Sequence, residues 1–261
     1  MRFRPCIDIH NGKVKQIVGG SLSDRGDQAA ENFVSEMDGA YYADFYKKDG
    51  LKGGHIILLN PASSPYYEAT KQQALLALGA YPGGFQLGGG ITPDNAKAFL
   101  DAGASHVIVT SYVFRDGKIS TDNLRRMLDC VGKEHLVLDL SCRKKDGAYY
   151  VVTDRWQKFT ETKVTADTLE WLRDSCAEFL IHAVDVEGKA SGIEVPLVEL
   201  LADMDNFPCT YAGGVGSFED LARLKQAGRG KVDVTIGSAL DLFGGKMPYR
   251  EVLEYIKKAA D

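Results

Sequence analysis

Along the chain, short apolar runs alternate with stretches of helical periodicity. The apolar runs at 5–9, 55–59, 85–87, 106–110, 136–140, 179–184, 209–211 and 232–236 predict strands. Most are near-continuously hydrophobic, the pattern of parallel strands covered on both faces. Amphipathic stretches between them, among them 92–102, 217–227 and 248–259, predict helices. Two begin on recognisable start signals. Thr92 precedes Pro93 and Asp94, and Ser217 stands just ahead of Asp220 in capping position.

Eight strand–helix units in 261 residues, with no linker or break in composition, predict an α/β fold: one (β/α)8 barrel (TIM barrel) domain spanning 1–261. A doubly wound sheet is the rival. An internal echo favours the barrel. Gly88-Gly89-Gly90-Ile91 follows the third strand and Ala212-Gly213-Gly214-Val215 the seventh; Thr110-Ser111 follows the fourth and Gly237-Ser238 the eighth. Asp8 in the first strand is matched by Asp139 in the fifth. Each pair lies about half a chain apart, which predicts half-barrel internal symmetry.

Composition narrows the setting. The formal charge of −5 offers no electrostatic footprint for nucleic acid or an anionic membrane. No apolar stretch approaches the roughly 20 residues of a membrane span, and the start at Met1-Arg2-Phe3-Arg4-Pro5 carries no apolar signal core. The five cysteines, Cys6, Cys130, Cys142, Cys176 and Cys209, are scattered without a C-x-x-C pair, and the histidines show no ligand spacing. These features predict a cytoplasmic protein without a metal. No heptad or long apolar face demands a partner, so a monomer is expected.

In a barrel, chemistry gathers at the C-terminal ends of the strands. Both glycine pairs fall there, each before a helix start, where backbone N–H groups favour an anion. Glycine pairs also make tight strand–helix turns, but two such clusters, each joined by Thr110 and Ser111 or by Gly237 and Ser238, predict two phosphate sites facing each other across the mouth. Asp8 and Asp139 are lone acids inside apolar strands, where a carboxylate is costly unless paired or hydrogen-bonded. A core ion pair would explain them; two carboxyls of opposite protonation state, one acid and one base, would also do so. Asp185 and Glu187, after the sixth strand, are alternative acids or solvated loop carboxylates. Trp156 could stack on a planar heterocycle or fill a lid, and His182 could touch a ligand or serve the core. The long loops 10–31 and 143–160 are candidates for closing over a substrate.

The ordered set CIDIHNGKVKQIVGGSLSD, LGGGIT, VIVTSYVF, VLDLSCRK, FLIHAVDVEG, YAGGVGS and VDVTIGSALDLFGG covers essentially the whole chain. It resembles the ProFAR isomerases of histidine biosynthesis, in their fungal and plant version. The resemblance implies a (β/α)8 barrel and an Amadori rearrangement in which the aminoaldose end of a bisphosphorylated ribotide becomes an aminoketose, without cofactor or metal. It implies Asp8 as general base, Asp139 as acid, the two glycine clusters with Thr110, Ser111, Gly237 and Ser238 as phosphate grips, and Trp156 against the imidazole. Two departures from the bacterial pattern stand out. Glu187-Gly188 occupies the place of an Asp-Gly pair, leaving the acid open between Asp139 and a strand-six carboxylate, and 15–20 lacks an arginine common there. The sister barrel, the cyclase subunit of imidazole-glycerol-phosphate synthase, shares the aspartates and grips but would require ammonia from a partner. A catalytically silent sugar-phosphate binder is a reading of another class. Activity on the related tryptophan-pathway aminoaldose has no support in the residues.

Overall fold

The computed structural model describes residues 1–18, 21–23 and 28–258. Among them, eight parallel strands form the barrel wall: β1 (Cys6–His10), β2 (Gly54–Leu58), β3 (Phe85–Gly88), β4 (His106–Val109), β5 (Leu136–Asp139), β6 (Glu178–His182), β7 (Cys209–Ala212) and β8 (Asp233–Thr235). Each pairs with the next in chain order. Phe3 closes the ring by a parallel bridge to Val234, with Arg4 N–H donating to Val234 O at 2.8 Å and Val234 N–H to Arg2 O at 2.9 Å. All eight runs seen in the sequence are strands, with ends that differ by a residue or two.

Eight helices alternate with them: α1 (Gly39–Lys48), α2 (Tyr67–Ala80), α3 (Pro93–Asp101), α4 (Thr121–Val131), α5 (Ala166–Leu172), α6 (Val195–Ala202), α7 (Phe218–Ala227) and α8 (Tyr249–Lys258). Caps of the expected chemistry start several of them. Thr92 and Asn95 form a reciprocal capping box on α3 with Pro93 in its first turn, and Ser217 accepts from Asp220 N–H on α7. The main apolar core lies between strands and helices, with Ile7, Ile9, Ile56, Leu58, Val107 and Leu138 buried against the helical ring. A small inner layer of Ile108, Val137 and Leu180, with Ile57 against it, fills the barrel itself.

Below that layer, at the N-terminal ends of the strands, a buried polar cluster ties first and last strands together. Arg4 Nε lies 2.8 Å from Asp233 Oδ2 and its Nη2 3.5 Å from Glu178 Oε2. Glu178 also accepts from Gln86 Nε2 at 2.9 Å and Thr210 Oγ1 at 2.7 Å. Every charge there has a partner, the condition under which buried ions are tolerated.

Three hairpins with two-residue turns ornament the wall, and each turns on a left-handed pair: Asn11-Gly12, Asp116-Gly117 and Asp146-Gly147. The first folds Lys13–Ile17 back onto β1, and Glu31–Val34 pairs antiparallel to that return strand. The third builds a three-stranded sheet, Cys142–Lys145, Ala148–Thr153 and Lys158–Lys163, above the end of β5. Within the first candidate lid loop, 10–31, residues 19, 20 and 24–27 lie outside the described residues, as does Ala259 at the end of the last expected helix.

Candidate active site

A cavity of about 420 Å³ opens at the C-terminal ends of the strands. Seven of the sequence-predicted residues line it: Asp8, Gly89, Gly90, Thr110, Ser111, Asp139 and Trp156. His182 and Glu187 line it as well, so the strand-six contribution is a histidine and a glutamate. Asp185 lies elsewhere. Its carboxylate accepts from Arg143 Nε at 2.8 Å and from Lys144 N–H at 2.9 Å, which is a loop-fastening role.

Asp139 ends β5 almost fully buried, with its charge met from three directions. Ser141 donates to Oδ1 through both its backbone N–H and its hydroxyl, each at 2.7 Å, while His182 Nδ1 stands 3.5 Å from Oδ2. Burial opposes charge on His182, but the Asp139 carboxylate, aided by Glu187 and Asp8, outweighs it and lifts the imidazole to about 9. His182 is therefore an imidazolium at neutral pH. His55 packs edge-on to that ring, centroids 5.4 Å apart, and is held neutral by burial first and by the His182 charge second.

Asp8, half-buried, reaches the cavity from the opposite half of the barrel. Desolvation pushes its carboxyl up, His182 pulls it down, Glu187 pushes it up again, and the outcome is about 7. Glu187 is raised by burial as well, and its Oε2 has no hydrogen-bond partner among the described residues. The cavity thus holds an ion-paired carboxylate with its imidazolium, a carboxyl that titrates near neutrality and a third carboxyl that resists ionisation.

Trp156 reaches this centre from the loop after Ala148–Thr153. Its indole Nε1 donates to Ser141 Oγ at 3.0 Å, and its ring sits 5.7 Å from that of His182. Three consecutive residues, Asp154, Arg155 and Trp156, have φ of 52°, 57° and 68°, a left-handed run that only specific contacts would maintain in non-glycine residues.

The glycine pairs repeat each other in conformation. Gly89 and Gly90 have φ of 103° and 68°, and Gly213 and Gly214 have 116° and 78°. A Cβ on Gly89 would meet Leu58 O at 2.2 Å and one on Gly213 would meet Ala183 O at 2.8 Å, so each pair lies against the end of the preceding strand. The two clusters differ in access. Gly89 and Gly90 face the cavity, whereas Gly213, Gly214, Gly237 and Ser238 do not line it. Gly192 O lies 2.0 Å from a Cβ position on Gly214, and the buried Gln16 side chain occupies the space in front of Gly237, its Oε1 2.2 Å from a Cβ position there. Gly213 and Gly214 are buried, whereas Gly237 and Ser238 remain partly exposed.

Among residues not singled out from the sequence, Asn60 and Arg155 line the cavity, and Ser141, His182's neighbour in the network, reaches the centre without lining it. Asn60 follows β2 and accepts from Asn11 N–H and Thr70 Oγ1, each at 2.7 Å, pinning the first hairpin beside the mouth. A polar residue just past an apolar strand was the available signal for Asn60 and Ser141.

An α/β barrel with its carboxyls and glycine turns gathered at the strand ends is the class that fold and site define. Within that class, the family described as Histidine biosynthesis protein matches residues 2–248, and this chain belongs to it. Curated relatives share most of their length with it. A chloroplastic protein of Medicago truncatula is 52% identical over 98% of this chain and 81% of its own. One from Neurospora crassa is 45% identical over 98% and 99%, and one from Saccharomyces cerevisiae 43% identical over 94% of each chain. All three are named 1-(5-phosphoribosyl)-5-((5-phosphoribosylamino)methylideneamino)imidazole-4-carboxamide isomerase.

Proposed function

We propose that this chain is an isomerase of histidine biosynthesis that converts the aminoaldose named in its relatives to the corresponding aminoketose by an Amadori rearrangement. The observation that carries the mechanism is the pairing of unlike acid–base groups in one cavity: Asp8, titrating near 7, across from Asp139 with its imidazolium partner His182.

In this reading the Asp139–His182 pair supplies a proton to the ribofuranose ring oxygen, and the C1–O bond breaks to give an open-chain iminium. Asp8 takes the proton from C2, and the electron pair forms the C1–C2 double bond of an enolamine. A proton returns to C1 while the C2 hydroxyl loses its own, leaving the ketone at C2; the sum is an isomerisation, with no net oxidant or reductant. Trp156 caps the imidazole and helps keep water from the iminium. Glu187 is the strand-six carboxyl placed to share the acid role; Asp185, fastened to Arg143, is not.

Gly89, Gly90, Thr110 and Ser111 are assigned to one phosphate, and Gly213, Gly214, Gly237 and Ser238 to the other. The second grip lies beside Gln16, which packs against Gly237, and beside Gly192, which packs against Gly214. A cytoplasmic monomer completes the proposal, on the scattered thiols and the absence of any heptad pattern in the sequence. Light scattering checks the mass; a stable dimer would remove that part.

Turnover of the aminoaldose by the purified chain, without glutaminase or ammonia and with the product identified by chromatography, tests the activity. Aminoketose formation excludes the cyclase and the silent binder. Tight binding without turnover would return the function to one of them.

A further inference from the structure

The sheet built on 142–163 differs electrostatically from the rest of the chain. It carries six basic residues, Arg143, Lys144, Lys145, Arg155, Lys158 and Lys163, against the three acids Asp146, Asp154 and Glu161, in a protein whose total formal charge is −5. Strand pairing sorts these charges onto faces. Arg143 lies opposite Tyr150 and Tyr150 opposite Lys163, while Val152, on the same face as Tyr150, lies opposite Phe159. Val152 lines the cavity.

That face therefore runs from the cavity wall out to solvent with cations held over rings. Arg143 and Lys145 stand 5.5 Å and 5.7 Å from the centroid of Phe159, and Lys163 5.6 Å from that of Tyr150. Contact with a ring face restrains a lysine stem without neutralising its charge. Arg143 is partly compensated by Asp185, and the exposed Glu161 between Phe159 and Lys163 is paired with Lys118 at 3.6 Å, leaving Lys145 and Lys163 as the exposed cations of the track.

We infer that this face is an electrostatic capture surface for the phosphates of the incoming substrate, raising the rate of encounter at a mouth whose surrounding protein is acidic. The inference rests on the proposed function, since it needs an anionic ligand in that cavity. Lys145 and Lys163 act before binding and are not catalytic residues.

The test is stopped-flow binding of the bisphosphorylated aminoaldose to the Asp8→Asn chain, which is expected to bind without turning over. Tryptophan fluorescence reports, with Trp171→Phe removing the exposed indole on α5. In the Lys145→Gln/Lys163→Gln variant, kon at 10 mM salt is expected to fall about threefold to fivefold with koff unchanged, and the difference to vanish by about 0.3 M salt, where charges are screened within several ångströms. A Lys257→Gln/Lys258→Gln control removes the same charge from the last turn of α8, at the far end of the barrel, and is expected to leave kon within about 1.5-fold. An unchanged kon in the first variant, an equal loss in the control, or a change confined to koff would each overturn the capture surface. Absence of any binding by the aminoaldose would instead take down the isomerase reading and this inference with it.

Discussion

Asp8 is a carboxyl placed where neutrality is favoured, and a base must lose its proton to work. With its titration near 7 and that of His182 near 9, kcat/KM is expected to rise with pH through about 7 and to fall above about 9, a bell measured by a pH–rate profile. A profile flat from pH 6 to 8 would remove Asp8 as the base. Asp8→Asn is expected to lower kcat by about 10²–10⁴ while substrate affinity stays within severalfold. Its effect on stability has the opposite sign. A folded-state value raised above the ordinary carboxylate range gives a contribution that is complete below about pH 4 and lost as pH climbs through 7. Asparagine never ionises, so the variant is expected to melt about 2–6 °C above the parent at pH 8 and to lose that advantage at pH 4, by thermal denaturation at both.

At the scale of elements, Gly237 separates steric need from backbone need. Its φ is not left-handed, so its lack of a side chain reflects the room taken by Gln16. Gly237→Ala is expected to cost about 1–3 kcal/mol, and Gln16→Ala added to it to restore at least half of that, in a double-mutant cycle read by urea unfolding. Additive losses would show that Gln16 is not what the glycine accommodates. The eight barrel strands were legible because burial on both faces writes a continuous apolar run, and the caps at Thr92 and Ser217 were legible because a cap is a local hydrogen bond. The hairpins were readable in principle. Asn11-Gly12, Asp116-Gly117 and Asp146-Gly147 are the dipeptides that left-handed two-residue turns select, but the flanking strands, such as Lys158–Lys163, are polar and exposed along much of their length and leave little apolar signal. Of the site, Asp8, Asp139 and the first glycine cluster could be gathered from strand position alone. The His182–Asp139 pairing and the approach of Gln16 to Gly237 could not. The first depends on the register between β5 and β6, where Leu180 lies opposite Asp139, and the second on how the return strand Lys13–Ile17 packs against the end of β8.

The molecule as a whole divides its polar interior between two ends. At the base, Arg4 joins Asp233 and Glu178 and so links the start of the chain to β6 and β8. Arg4→Met is expected to destabilise by about 3–5 kcal/mol, chiefly because the buried Glu178 loses its cation, while Asp233 keeps Arg2 at 2.9 Å. The loss should be larger at pH 8 than at pH 5, since Glu178, already raised by burial, can then take up a proton; melting curves at the two pH values check it. At the mouth, by contrast, the charges are left able to exchange protons. That division is the one expected of a barrel whose stability and chemistry sit at opposite ends.

The central claim is proton transfer at the two sugar carbons by side chains of this cavity. Turnover of the aminoaldose in D2O, with the product read by NMR, tests it most directly. The account predicts an aminoketose carrying solvent deuterium at C1 and no hydrogen at C2, with the rate of its appearance collapsing in Asp8→Asn. A product free of solvent deuterium, or one formed as fast by Asp8→Asn, would contradict it.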